Sequence, residues 1–254
     1  MKIHNFISGG IFKSFFIYVR YMASQKGLSV VLPAFNEEEV IEEMVEHTNE
    51  ALKKLNIENY EIIVVNDGST DNTSFIVHGI KKKIKQLKII DFPLNRGYAD
   101  VLREGFSAAK FELIFYTDSD MQFDVNEIKY SLEKSNYYDI VCGFRAPRKD
   151  PLIRLMISFF YNRVVDIIFR LDMKDVDCAF KLFKKDVFND IEIRSKGFLV
   201  DLEIIAKANR KGFKIAECPV SHYPRKKGKS TVSIKKLLET VKGILWLRRN
   251  LNEI

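Results

Sequence analysis

Two carboxylates, Asp118 and Asp120, flank Ser119 directly after the apolar run LIFY at 113–116. Side chains two positions apart share a face if the strand continues, and can still converge if the chain turns. Carboxylates that close repel each other unless a cation sits between them. All-oxygen coordination favours Mg²⁺ or Mn²⁺, which keep positions open for phosphate oxygens. Such an ion neutralises the charge that develops on a departing diphosphate. Taken alone, an Asp-x-Asp more often marks solvated loop carboxylates. Its place at a strand end, in a chain with two other polar loops at strand ends, favours the metal reading. Asp67 follows EIIVV at 61–65 and precedes Gly68. A carboxylate there can accept hydrogen bonds from a base N–H or a ribose hydroxyl, and Gly68 permits close backbone approach or positive φ. Equally, Asp67 can cap the turn at 69–73. The loop PAFNE at 33–37 is neither a GxGxxG nor a GxxxxGK[ST] sequence, which excludes the dinucleotide and P-loop fingerprints there.

These residues need a scaffold that brings strand ends together. LSVVL at 28–32, EIIVV at 61–65, residues 87–90 and LIFY at 113–116 read as buried strands, with a fifth at 140–141. Helical patterns fall between them: one opening at 36–39, one capped by residues 71–73, and one over 97–109. Strands alternating with helices predict an α/β fold with a mostly parallel, doubly wound central sheet. In such sheets ligands bind beyond the carboxyl ends of the strands. The loops at 33–37, 67–68 and 118–120 are therefore expected to converge on one edge. Further helices are predicted at 153–169 and 197–210. The last segment spaces Ile234, Leu237, Leu238, Val241, Ile244 and Leu245 as an amphipathic helix.

The chain has 254 residues, 46% of them hydrophobic, enough for one sizeable α/β domain with an appendage. Its net charge of +7 suits a polyanionic partner: nucleic acid, acidic lipid or phosphorylated substrate. No recognised nucleic-acid module or arginine-rich tract is present, which argues against the first. Cys142, Cys178 and Cys218 lack CxxC spacing and read as reduced and buried in a cytosolic protein. Residues 6–23 are apolar but interrupted by Lys13 and Arg20, too short to span a bilayer and without a small-residue cleavage site. They read as an extension that is either core-packed or poorly ordered, or that lies at a membrane interface.

The segments VVLPAFNEEEVI, VVNDGSTDNT, NRGYADVLREGF and FYTDSDMQFD, in this order, resemble the family 2 glycosyltransferases of GT-A fold. RKDPLIRLMISFFYNR, DVDCAFKLF, GFKIAECPV and HYPRKKGKS look like the branch that contains dolichyl-phosphate mannose synthase and related polyprenyl-phosphate glycosyltransferases. The resemblance implies a nucleotide-sugar site built from Pro33, Ala34, Phe35, Glu37, Asp67, Gly68, Arg96, Gly97, Asp118 and Ser119. It implies a metal (Mg²⁺ or Mn²⁺) on Asp118, Asp120 and Gln122, with Asp120 central to catalysis. Arg145 and Arg154 match basic residues near an acceptor phosphate. Arg225 and Ser230 match a closing RxxGxS loop, in which Thr231 stands where mannose synthases often have Lys, and Lys226, Lys227 and Lys229 add charge. Lys181 joins Lys229 and Ser230 as an expected acceptor contact.

The implied reaction is an inverting single displacement from a nucleotide-sugar, GDP-mannose or a UDP-hexose, onto a polyprenyl or dolichyl phosphate. A phosphate monoester with a second pKa of about 6 is ionised near neutrality and needs no base. Arginines position it and screen it from the donor diphosphate. A hydroxyl acceptor on a glycan or lipid needs a carboxylate base, for which Asp201 and Glu203 in LVDLEII are the candidates, or else a structural pair at a helix start. Asp177 and Lys181 either pair across a helical turn or line the acceptor path, and Arg163 pairs with Asp166. The expected organisation is an extension at 1–26, a catalytic domain at 27–230 and a C-terminal amphipathic helix at 231–254. That helix, basic and carrying Trp246, suits peripheral docking on the cytoplasmic membrane face, alone or with a membrane-protein partner. A nucleotide-sugar-binding membrane scaffold without activity is the non-enzyme alternative.

Overall fold

The computed structural model describes residues 27–147, 152–224 and 234–251. One seven-stranded sheet runs through the centre. Its strands are β1 (Leu28–Ala34), β2 (Tyr60–Asn66), β3 (Leu87–Asp91), β4 (Leu113–Thr117), β5 (Ile140–Arg145), β6 (Phe180–Lys184) and β7 (Ile215–Val220). They lie in the order β3-β2-β1-β4-β6-β5-β7. β1 and β4 are neighbours, and the chain winds outward from them in opposite directions, so the crevice beyond their carboxyl ends is the topological switch point. Helices α1 (Ile41–Lys54), α2 (Thr73–Lys81), α3 (Tyr98–Ala108) and α4 (Ile128–Lys134) cover the first half. Helices α5 (Leu152–Phe169), α6 (Val187–Asp190), α7 (Leu199–Arg210) and α8 (Ile234–Asn250) complete the second.

The local sequence explains these elements. β1, β2 and β4 are buried at every position, as expected of strands covered on both faces. Pro33 lies inside β1 rather than ending it. β1 pairs with β4 only as far as Val31, so the missing Pro33 N–H falls where only β2 remains alongside. α1 carries Glu42 and Glu43 in its first turn and Lys53 and Lys54 in its last, matching its dipole.

Two strands were not anticipated. β6 is antiparallel to both β4 and β5, and it occupies FKLFK, where Lys181 obscures an otherwise apolar run. β7 holds Glu217 and Pro219, but it is the edge strand, where a missing N–H is tolerated. The three cysteines are free and buried.

Candidate active site

The three strand-end loops lie on one edge of the sheet as expected, and those after β1 and β2 make specific contacts. The Asn36 N–H donates to Ser69 Oγ at 2.9 Å, the Thr70 N–H to Asn36 Oδ1 at 2.8 Å and the Glu37 N–H to Thr73 Oγ1 at 2.8 Å. The loops after β1 and β2 are thereby stitched together. The turn that Asp67 was expected to cap is held instead by Asn66, whose Oδ1 accepts from the Ser69 N–H at 3.2 Å. Asp71 completes it, its Oδ1 accepting from the Thr73 N–H at 2.9 Å.

Asp67 is buried. Its carboxylate accepts from the Arg96 N–H at 2.7 Å and the Gly97 N–H at 3.0 Å. It fixes the turn that launches α3. Gly68 has φ +65°, and a Cβ there would lie 2.5 Å from the Leu94 carbonyl carbon. Only glycine fits on both counts. Arg96 is exposed, its guanidinium 4.4 Å from the Phe92 ring centroid. Pro33 and Ala34 are buried within β1, whereas Phe35 projects at 44% exposure and Glu37 is half-buried. Of the expected first-loop contacts, Phe35 and Glu37 are thus the accessible side chains.

Asp118 and Asp120 sit at the switch point. Tyr98, from the first turn of α3, donates to Asp118 Oδ1 at 3.0 Å. Burial, and then the neighbouring Asp120 carboxylate, raise Asp118 from 3.8 to about 7. Burial and the Asp118 charge push the Tyr98 phenol well up, so it remains a neutral donor. The chain turns at Met121, with φ +60°, letting the Gln122 N–H donate back to Asp120 Oδ1 at 3.1 Å. Close by, Thr117 Oγ1 and Ser119 Oγ are buried with no hydrogen-bond partner. A buried carboxylate whose charge is disfavoured by burial and then by a second carboxylate fits a divalent cation, which relieves both. The Gln122 amide nitrogen is turned away, donating to the Tyr223 carbonyl at 3.0 Å, with His222 Nε2 at 3.3 Å. Residues after β7 therefore return to this site. His222 is brought in by its bridge to Phe123, and no local signal in the sequence announces that.

Several expected site residues take other roles. Lys181 is not an acceptor contact, nor does it pair with Asp177 across a helical turn. It lies in β6, fully buried, donating to Asp201 Oδ1 at 2.7 Å, the Cys178 carbonyl at 2.6 Å and the Tyr116 hydroxyl at 3.3 Å. Burial alone would lower its pKa, but the Asp201 carboxylate raises it. Tyr116 also hydrogen-bonds Asp201, so that carboxylate is neutralised inside the fold. Glu203 is not placed as a catalytic base. It is fully buried, accepting from the Arg194 N–H at 3.0 Å, the Ser195 N–H at 2.7 Å and Lys207 Nζ at 2.5 Å. Arg145 grips the buried Asp175 through Nε at 2.6 Å and an Nη at 2.7 Å, which commits much of its charge to the protein. Arg163 pairs with Asp166 at 3.1 Å, as expected. Arg225, Lys229 and Ser230, the extension at 1–26 and the side chain of Arg154 lie outside the described residues.

A cavity of about 640 Å³ opens in the second half of the chain. Tyr161, Phe198, Leu199 and Trp246 wall it, and Asp177, Arg194, Ser195 and Lys196 supply polar groups. The Phe198 ring packs 5.5 Å from that of Tyr98, which links the cavity to Asp118. Glu203 and Arg103 clamp its floor, Arg103 donating to the Ser195 carbonyl at 3.0 Å, while Ser195 Oγ is buried without a partner. Asp177 is exposed at the cavity. Even so, the density of protein around that carboxylate, and then Asp201, raise it to about 7. α8 closes the cavity because Gly243 lets it lie directly on Leu199, where a Cβ would come within 1.9 Å of Cδ1.

The family model described as glycosyl transferase family 2 matches residues 29–192, more than half of the chain. The chain belongs to that family. Its activity class is accordingly glycosyl transfer from a nucleotide-sugar. Solved structures agree on the fold. The glucosyl-3-phosphoglycerate synthase of Mycobacterium tuberculosis with Mn²⁺, UDP and glucosyl-3-phosphoglycerate superposes with a TM-score of 0.73 at 14% identity, covering 94% of this chain and 84% of that one. The same enzyme with Mn²⁺, UDP and phosphoglyceric acid gives 0.71 at 16% identity, over 93% and 82%. Its complex with Mg²⁺ and UDP gives 0.70 at 14% identity, over 94% and 84%. Similarity at this level shows a shared GT-A architecture.

Proposed function

We propose that this family 2 enzyme transfers a hexose from a nucleotide-sugar to a lipid phosphate of the polyprenyl or dolichyl class, with Mg²⁺ or Mn²⁺, at the cytoplasmic membrane face. The observation that carries the acceptor class is the cavity walled by Phe198, whose ring packs on the Tyr98 that holds Asp118. Its walls are aromatic and aliphatic, while Lys196 supplies a cation and Arg194 one that is shared with Glu192. An acceptor with an anionic head on an apolar chain matches that lining; a small hydrophilic acid leaves Phe198, Leu199 and Trp246 unused. The solved neighbours bind phosphoglyceric acid, so the walls of this cavity are where this chain would diverge from them.

Asp118 and Asp120 are the residues that would hold the cation. When bound, it neutralises charge on the departing diphosphate. Asp67 holds the Arg96–Gly97 turn beneath the donor, Tyr98 fixes Asp118 through its hydrogen bond, and the Glu203 clamp holds the cavity floor in place. An ionised phosphate acceptor needs no base, which fits the burial of Asp201 and Glu203 in ion pairs.

A second reading, transfer to a hydroxyl, is favoured by one observation. Asp177 reaches the same cavity with its pKa raised to about 7, within range of a general base. A donor screen with GDP-mannose and UDP-hexoses, in Mn²⁺ and in Mg²⁺, using a short polyprenyl phosphate and a panel of alcohols, tests both. Transfer to the phosphate that Asp118→Asn abolishes, and that Asp177→Asn leaves within about threefold, supports the lipid phosphate. Transfer only to alcohols, lost in Asp177→Asn, overturns it.

A further inference from the structure

α5 departs from the usual pattern of a surface helix. At about 100° per residue, Met156, Phe159, Phe160, Val164 and Ile167 fall on one side, exposed at 60, 67, 62, 46 and 67%. Val165 points the opposite way and is 2% exposed. Tyr161, Ile168 and Phe169 pack against the core from flanking positions. A helix apolar around most of its circumference requires cover on its second side, and clustered exposed apolar side chains mark an interaction surface. Among the described residues no helix is long and apolar enough to cross a membrane, so any lipid contact made by α5 is lateral.

Charge selects the partner. Asp166 is the one acidic residue of α5, and it is paired with Arg163, which sits within the apolar stripe. α8 packs beside α5. Its outward side presents Lys242, Arg248 and Arg249 together with Leu245 and Trp246, while Ile244, Leu247 and Leu251 are buried. Cations interleaved with large apolar side chains, in a chain of net charge +7, complement an anionic bilayer better than a neutral protein face. Tyr161 of α5 and Trp246 of α8 both line the cavity walled by Phe198, so a bilayer covering these helices lies next to that cavity.

We propose that α5, together with the outward face of α8, is a docking surface for an anionic membrane, with Met156, Phe159, Phe160, Val164 and Ile167 inserted at the interface. This rests on the lipid-phosphate reading for its purpose, not for its test. The full chain is sedimented with vesicles of phosphatidylcholine, alone or with about one third phosphatidylglycerol. The parent binds the anionic vesicles more tightly, and added salt weakens that binding. The double variant Phe159→Glu, Phe160→Glu alters two exposed side chains, and circular dichroism checks that its fold is unchanged. Its partition coefficient falls at least about tenfold, while turnover of a water-soluble donor and acceptor pair is unchanged. Equal partitioning of parent and variant overturns the docking surface, as does a parent that binds neither vesicle. A parent that is dimeric in solution and becomes monomeric in the variant also overturns it, because the face is then a self-interface. Inactivity of the parent towards lipid phosphates, with vesicle binding intact, overturns only the acceptor assignment.

Discussion

Glu203→Gln separates a catalytic carboxylate from a structural one. The side chain is fully buried and serves three donors: the backbone N–H groups of Arg194 and Ser195, and Lys207 Nζ. Glutamine keeps the shape but places an amide NH₂ where one oxygen accepted, and it leaves the Lys207 ammonium, itself 2% exposed, with the Glu192 carbonyl but no carboxylate. Removing one partner of a buried ion pair costs about 3–5 kcal/mol, and the retained carbonyl keeps the expected loss near about 3 kcal/mol. In a domain of this size each kcal/mol moves Tm by about 2–4 °C, so the variant should melt about 6–12 °C below the parent. Below its Tm the enzyme should retain kcat within about tenfold, with KM for the acceptor raised as the 193–196 floor loosens. Adding Lys207→Met should recover part of the lost stability, because a neutral side chain of similar length replaces a buried charge that has lost its carboxylate. Thermal unfolding by circular dichroism, with steady-state kinetics on the same samples, reads both effects. Unchanged Tm with a kcat loss of about a thousandfold or more would return Glu203 to the role of general base and refute the structural assignment.

Asp118 carries a pH prediction whose sign follows from its raised pKa. Between 3.8 and about 7 the folded state holds a proton that the unfolded chain has released. The contribution of Asp118 to stability therefore falls as pH rises through that window, and stays low above it. Mn²⁺ or Mg²⁺ competes with that proton, so the metal-induced rise in Tm should be larger at pH 8 than at pH 5.5, and Asp118→Asn should erase the difference; equal rises at both pH values count against the metal site. Gly68→Ala places a methyl against the Leu94 and Asn95 backbone at a φ of +65°. It should cost about 1–3 kcal/mol and weaken nucleotide binding by calorimetry through displacement of the Arg96–Gly97 turn. Wild-type stability and affinity would show that the close approach is unimportant.

Much of the site is legible in the chain because its parts are local. A strand followed at once by a carboxylate must place that carboxylate at the sheet edge, so PAFNE, Asp67-Gly68 and Asp118-Ser119-Asp120 could be assigned to one crevice from order alone. The alternation of strands and helices likewise determined the α/β class. The partners of the buried charges are not local. Lys181 finds Asp201 twenty positions away, because β6 runs antiparallel between β4 and β5 and points that ammonium towards α7. In DVDCAFKLF nothing distinguishes that arrangement from a helical pair with Asp177. Glu203 and Asp201 look alike as acids at a helix start, yet packing supplies each with donors that consume it. Tyr98 reaches Asp118 from α3, whereas His222 and the aromatic walls of the cavity come from far along the chain, and only the return of the second half brings them towards the switch point. The placement of the strand-end loops was thus determined by backbone periodicity and chain order. Which charges stay available for substrate was settled by burial, since a charge removed from water has to find a partner wherever the fold provides one.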